Sequence, residues 1–186
     1  MIDRNKAEPS PLERSGSGAQ SLTTISLPAE PVSAESFAPY GQVVLATPDG
    51  KPFDGTDAQV DLSDGIPRFY LMQIPARGLR FDRITRHDRC TQCLGSLNGA
   101  TWWIAVAPAN AASLMPDRDR LRAFQVPGNC FLKLDRGTWH AGPYFEVGTI
   151  DFYNLELSDT NINDHFTHVF SSRDRCQFAI VPCPEH

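Results

Sequence analysis

Short apolar runs, many alternating with polar residues, recur along the chain and are separated by Gly, Pro, Asn and Asp. This period of two predicts strands over Gln42 to Leu45, Pro67 to Ile74, Leu79 to His87, Thr91 to Leu97, Thr101 to Ala107, Leu121 to Val126, Cys130 to Leu134, Thr149 to Leu157 and Cys176 to Val181. One helical start stands out: Ser33 caps a short helix through Phe37, which Pro39 and Gly41 must end. Asn98-Gly99 and Pro127-Gly128-Asn129 are turn signals, Pro108 and Pro116 bound a loop, and residues 48 to 65 are a long polar connection. Many short strands and one short helix predict an all-β sandwich or barrel. Long loops at a barrel rim shape access to its interior.

Alternation also sorts side chains by face. Phe81, Arg83, Thr85 and His87 share one face of their run. In the run ending at Leu157, Asp151, Tyr153, Leu155 and Leu157 share one face, and Phe152, Asn154 and Glu156 the other. Polar groups on both faces among large apolar residues suit a barrel with a partly wet interior pocket.

Length and charge narrow the class. With 186 residues the chain suits one sizeable core, read as a disordered extension over residues 1–23 and a single domain over 24–186. The extension is rich in Ser, Gly, Pro and charge, has no hydrophobic signal core, and carries Asp3, Glu8 and Glu13, which argue against an organelle transit peptide. The expected location is the cytoplasm, with targeting by a processed leader left open. A net charge of -5 with scattered Arg disfavours nucleic-acid binding. The longest apolar stretch, Trp102 to Ala107, fits a buried strand and no membrane span. Exposed sheet edges make a symmetric homodimer reasonable.

Five cysteines, at 90, 93, 130, 176 and 183, form no regular disulfide framework and fit a reducing compartment. Cys90 and Cys93 have redox or zinc spacing, but strand geometry puts their thiols on opposite faces and no second pair matches, so the motif is read as accidental.

Candidate chemistry centres on histidine, of which the chain holds five. His140 sits in Arg136-Gly137-Thr138-Trp139-His140-Ala141-Gly142-Pro143-Tyr144-Phe145, after a glycine turn and among aromatics; a satisfied structural imidazole is the alternative. His87 is its candidate partner. An unperturbed imidazole titrates near pH ~6.5, so either can serve as acid, base or neutral metal ligand. Lys133 interrupts an apolar strand between Leu132 and Leu134, as a carboxylate clamp or a solvated edge lysine. Arg68 shares parity with Tyr70 and Met72, as a second clamp or a surface ion-pair partner. Asp159-Thr160-Asn161, Asp164-His165 and His168 look ligand-like in composition, but as a polar loop after a strand they are read as capping residues.

His87 followed by Gln92 and Gly99 resembles a degenerate first cupin motif, and Gly128 followed by Gly137-Thr138-Trp139-His140 resembles the second. Where metal cupins carry two His and a Glu in the first motif, this chain has Thr85, His87 and Gln92. Only His87 and His140 remain as strong ligands, whereas catalytic metal sites usually have at least three from the protein. Within the cupins the chain resembles the ureidoglycolate lyase family, nearest its plant and cyanobacterial branch. The likeness rests on Leu27 to Val43 with Ser36-Phe37-Ala38-Pro39-Tyr40-Gly41, Arg86-His87 followed by Thr91-Gln92, the Arg136 to Phe145 run and Asp151-Phe152-Tyr153.

The resemblance implies a cupin-type double-stranded β-helix, a jelly-roll barrel, and elimination of urea from ureidoglycolate to give glyoxylate in allantoin and purine breakdown. It implies His140 as principal base or metal ligand and His87 as second acid, base or ligand, with Lys133 and Arg68 as carboxylate clamps. Gln92 would hold urea or make a buried hydrogen bond within its strand, Trp139 would pack and shape the pocket, Tyr153 would donate a hydrogen bond or anchor the core, and Asp151 would orient a histidine or hold a turn. A divalent metal ion on His87 and His140 is the candidate cofactor, with no organic cofactor expected. The partners expected are a small-molecule substrate and a second copy of the chain. The rival readings are a non-catalytic cupin binding a small organic acid or sugar, and a metal-dependent cupin enzyme acting on another hydroxy or carbonyl acid.

Overall fold

The alternating runs become thirteen strands among the residues described by the computed structural model, 22–110 and 113–184. In chain order these elements are β1 (Thr23–Pro31), α1 (Ala34–Phe37), β2 (Gly41–Leu45), β3 (Pro67–Pro75), β4 (Arg80–Phe81), β5 (Arg83–Arg86), β6 (Gln92–Ser96), β7 (Gly99–Ala107), β8 (Arg122–Gly128), β9 (Cys130–Leu134), β10 (Trp139–Tyr144), β11 (Thr149–Leu157), α2 (Thr160–Asn163), β12 (Phe166–Val169), α3 (Phe170–Arg173) and β13 (Cys176–Val181). They build an eight-stranded sheet, β12-β5-β10-β7-β8-β1-β13-β4, and a five-stranded sheet, β2-β9-β6-β11-β3. The two sheets curl into the all-β, barrel-like architecture expected from the pattern of the chain.

The local causes are those the residues announce. Ser33 caps α1 reciprocally: its Oγ accepts from Ser36 N at 3.1 Å and Ser36 Oγ accepts from Ser33 N at 3.3 Å. β7 is apolar on both faces because both are covered. Trp102, Ile104 and Val106 point between the sheets, where they meet Phe124, Leu94, Leu132, Leu134 and Phe152. Ala105 and Ala107 enter a second core behind the eight-stranded sheet, with Trp139, Ile84, Phe170 and Phe178.

Several expectations are corrected. The run Leu79 to His87 is two strands, because a bend at Asp82 intervenes: its carbonyl accepts from Phe170 N at 2.7 Å and its carboxylate from Ser171 Oγ at 2.6 Å. The shared face of Phe81, Arg83, Thr85 and His87 is therefore lost; Phe81 and Ile84 both enter the rear core, while Arg83 is exposed. β1, β10 and β12 lie outside the predicted runs. Pro28 and Pro31 mask β1, which lies parallel to β13 and β8. The reading of residues 1–23 as an extension falls outside the described residues up to 21, and Thr23 already opens β1. Within the connection 48–65, residues 55–59 lie against β2, where Gln42 Nε2 donates to Gly55 O at 3.1 Å and Gln42 Oε1 accepts from Gln59 N at 2.8 Å, while Asp61 and Asp64 pair with Arg136 at 2.9 and 3.1 Å. No helix among the described residues is long and apolar enough to cross a membrane.

Candidate active site

Strand parity carries the polar inner residues into a cavity of about 240 Å³ that opens between the two sheets. It is lined by His87, His140, Gln92, Glu156, Asn154 and Tyr70, with Arg77, Asn161 and His165 also contributing. On β10 the parity that sends Trp139 and Ala141 into the rear core turns His140 inward. On β11 the face shared with Phe152 brings Asn154 and Glu156 inside.

The two expected histidines converge. Their ring centroids are 5.0 Å apart, and His165 stands 5.6 Å from His87 on its other side. His87 is held twice. Its carbonyl accepts from Gly137 N at 2.7 Å, and its Nδ1 meets the backbone carbonyl of Asp164. Asp164 in turn accepts Asp88 N and Arg89 N on its two carboxylate oxygens, each at 2.8 Å. His140 Nδ1 lies 3.2 Å from Thr138 O. A carbonyl can only accept, so both Nδ1 atoms carry a proton, and a ring that holds no second proton has its lone pair on Nε2.

Burial, followed by repulsion from the His87 imidazole, pushes His140 down to about 3, partly offset by its bond to Thr138. Burial and His87 lower His165 as well, against the opposing pull of Glu156 and Asp164. A second positive charge between these rings is disfavoured, so at neutral pH His140 is a base with its lone pair available.

The sign for stability follows from the direction of the shift. Between the unfolded value of 6.5 and the folded value of about 3, the unfolded state binds the proton that the folded state refuses. The contribution is complete above pH 6.5 and is lost as pH falls towards 3. Thermal melts should show it: from pH 7.5 to 4.5 the wild type should lose more stability than His140→Gln. Parallel loss in both proteins would show that His140 is not the group refusing the proton.

Glu156 anchors the floor. It is 1% exposed and accepts from Tyr70 Oη at 3.1 Å, Gln92 Nε2 at 3.0 Å and Asn161 Nδ2 at 3.3 Å. Tyr70 Oη accepts from Asn154 Nδ2 at 3.0 Å.

Of the residues expected at the site, His87, His140 and Gln92 line the pocket, and Arg68 lies outside that lining, stacked 3.7 Å over the ring of Tyr70. The others face elsewhere. Lys133 projects from the opposite side of the strand that sends Leu132 and Leu134 inward; its cross-strand partners are Gln42 and Cys93, and its Nζ pairs with Asp135. Trp139 is packed in the rear core. Tyr153 lies across the outer side of the five-stranded sheet over Gly95, where an added Cβ would come 2.5 Å from the tyrosine oxygen. Asp151 accepts from Gln73 Nε2 at 3.1 Å on that same side.

Glu156, Asn154 and Tyr70 were legible as a face, since each shares parity with an apolar residue that enters the core or lines the pocket. The loop read as capping supplies Asn161 and His165 to the pocket and Asp164 as the clamp on His87. Asp159 instead pairs with Arg89 at 2.8 Å, and His168 is buried in contact with Asp174 at 2.6 Å. Nothing in the sequence singled out Arg77, which stands at the rim.

The donor set for a metal falls short of an ordinary site. His87 and His140 offer two imidazole nitrogens, but among the described residues no group of three or more His, Cys, Asp or Glu is placed to hold an ion. Cys90 and Cys93 do not change this; burial pushes the Cys93 thiol up to about 11, with Lys133 opposing.

Fold and pocket together describe a β-barrel protein whose interior pocket is lined by paired imidazoles and a buried carboxyl group. Residues 51–173 match the family model described as ureidoglycolate lyase, and the chain belongs to that family of lyases. No curated protein matches the chain. Among solved structures, a dTDP sugar isomerase from Desulfovibrio desulfuricans G20 is similar at 14% identity, with 64% of this chain and 79% of that chain covered and a TM-score of 0.42.

Proposed function

We propose that the protein eliminates urea from ureidoglycolate to give glyoxylate. The observation that carries this reading is the facing of His87 and His140, each with its Nδ1 tied to a backbone carbonyl and its Nε2 left for chemistry. The substrate is a carbinol bearing a carboxylate and a ureido nitrogen. Collapse to an aldehyde requires removal of the hydroxyl proton and delivery of a proton to the departing nitrogen.

His140, neutral in the resting protein, takes the hydroxyl proton. The carbon–oxygen bond becomes a carbonyl as the carbon–nitrogen bond breaks. The proton then returns to the urea nitrogen through the imidazole pair, which holds one added proton more readily than two. Proton count and charge balance, since what leaves oxygen arrives at nitrogen. Arg77 at the rim takes the place of Lys133 as the cation within reach of a carboxylate. No step is routed through a metal, because no three His, Cys, Asp or Glu side chains among the described residues are placed to hold one. The lyase reading goes with a homodimer, supported by β3 at the end of its sheet with Phe69 and Leu71 exposed on it.

The test is direct. Purified protein is incubated with racemic ureidoglycolate, with and without added divalent metals, and glyoxylate and urea are followed. Rates equal to background under every condition would remove the reading. Lys133→Met should keep turnover within about twofold, as expected of a side chain outside the pocket. Loss of turnover in a folded Lys133→Met protein would restore Lys133 to the chemistry.

A further inference from the structure

The floor of the pocket has more hydrogen-bond acceptors than the protein satisfies. Gln92 and Asn154 are 8% and 1% exposed, and their amide oxygens, Gln92 Oε1 and Asn154 Oδ1, are buried without a partner. Their orientation is forced by the network. Glu156 accepts, so Gln92 must turn its NH2 group to it. Tyr70 has one hydroxyl proton and spends it on Glu156, so it can only accept from Asn154, whose NH2 group must point to the tyrosine. Both carbonyl oxygens are thereby left over. Proteins seldom bury unpaired acceptors without a use for them.

The rest of the interior has the same bias. The free Nε2 atom of neutral His140 is an acceptor as well. The cation lining the pocket, Arg77, is exposed at the rim. A carboxylate pushed to the floor would meet Glu156 and two carbonyl oxygens, with no cation bonded to Glu156 there.

We propose that the floor formed by Glu156, Gln92 and Asn154 is a subsite for a planar group bearing paired N–H donors, a ureido or guanidino group, and that such a ligand enters with this group first and leaves its carboxylate at Arg77. The proposal rests on the lyase reading for its choice of ureido acids as probes. It gives the substrate a direction: urea nitrogen at the floor, the reacting carbon beside the imidazoles, the carboxylate outward.

The experiment is calorimetric titration of the full-length protein with four probes. Ureidoacetate lacks the hydroxyl and cannot react; its terminal N,N-dimethyl derivative keeps the shape without the terminal N–H groups; guanidinoacetate exchanges ureido for guanidino; glycolate has neither. Ureidoacetate or guanidinoacetate should bind, and the tighter of the two identifies the group the floor prefers. Dimethylation should weaken ureidoacetate by about tenfold or more, the scale of one or two lost hydrogen bonds. Gln92→Leu and Asn154→Leu should weaken the N–H-bearing probes similarly while leaving glycolate within about twofold. The ligand series in the wild type decides the matter if either variant fails to fold.

Equal binding of ureidoacetate and its dimethyl derivative would overturn the subsite, as would failure of both N–H-bearing probes to bind. Turnover of ureidoglycolate, measured separately, keeps the two ideas apart. Turnover with binding insensitive to the terminal N–H groups sinks the subsite and leaves the lyase; N–H-dependent binding without turnover does the reverse.

Discussion

His140→Ala is expected to lower ureidoglycolate turnover by ~10²–10⁴-fold, the range lost with a positioned general base. The imidazole is turned into the cavity by strand parity, its tautomer is set by Thr138 O at 3.2 Å, and burial beside His87 keeps it neutral. Alanine removes the proton acceptor and leaves the β10 backbone pairing with β7 in place. The loss should therefore lie in kcat more than in KM, with the melting temperature near that of the wild type at pH 7.5. His87→Ala should fall in the same range, and the double variant should lose little more than the worse single one, because a proton passed between two rings needs both. Near-normal turnover in His140→Ala would place the base elsewhere. Additive losses would mean that the imidazoles act separately.

Asp164→Ala should produce the largest loss of stability among the site variants, about 2–5 kcal/mol. Asp164 is fully buried, at 0% exposed, and its carboxylate accepts Asp88 N and Arg89 N at 2.8 Å each. Alanine leaves both amides without that acceptor. At this chain length each kcal/mol corresponds to roughly 2–4 °C, so a fall of about 4–20 °C in melting temperature is expected. The carbonyl that holds His87 survives the substitution, but the loop it anchors no longer does so firmly, and turnover should drop by about tenfold. Asp164→Asn keeps one acceptor oxygen and should recover part of both losses. An unchanged melting temperature in Asp164→Ala would show that the clamp contributes nothing. Loss of stability with unchanged kcat would separate the clamp from the positioning of His87.

Where the reading of the sequence and the folded chain part, the cause is usually one choice of face. Period two groups residues into two sets without saying which set is inside. On β11 the two sets were correct, yet the candidate residues came from the outer one, Asp151 and Tyr153, while Asn154 and Glu156 on the Phe152 side make the floor. Lys133 was rightly separated from Leu132 and Leu134, and those leucines, not the lysine, are the ones that enter the core. Trp139 and His140 are neighbours on one strand and so cannot both face the pocket. The large apolar member of each set was the available guide, since Phe152 marks the inner side of β11 as Trp102 marks that of β7. The loop after β11 gave no such guide: its polar residues are equally suited to capping, and only docking against His87 makes Asp164 a clamp.

The sequence alone determined the all-β class, the order of most strands and the cap at Ser33, and it singled out His87, His140 and Gln92, which the fold brings to one pocket. These follow from local periodicity, from turn chemistry, and from motif residues whose spacing survives folding. Tertiary structure decided which face of each strand is inner, that the run from Leu79 to His87 breaks at Asp82, and that Glu156, Asn154, Tyr70 and Asp164 meet around the histidines. Each depends on strands distant in sequence packing face to face, where burial and the pairing of polar groups across sheets choose among arrangements that local pattern leaves equivalent.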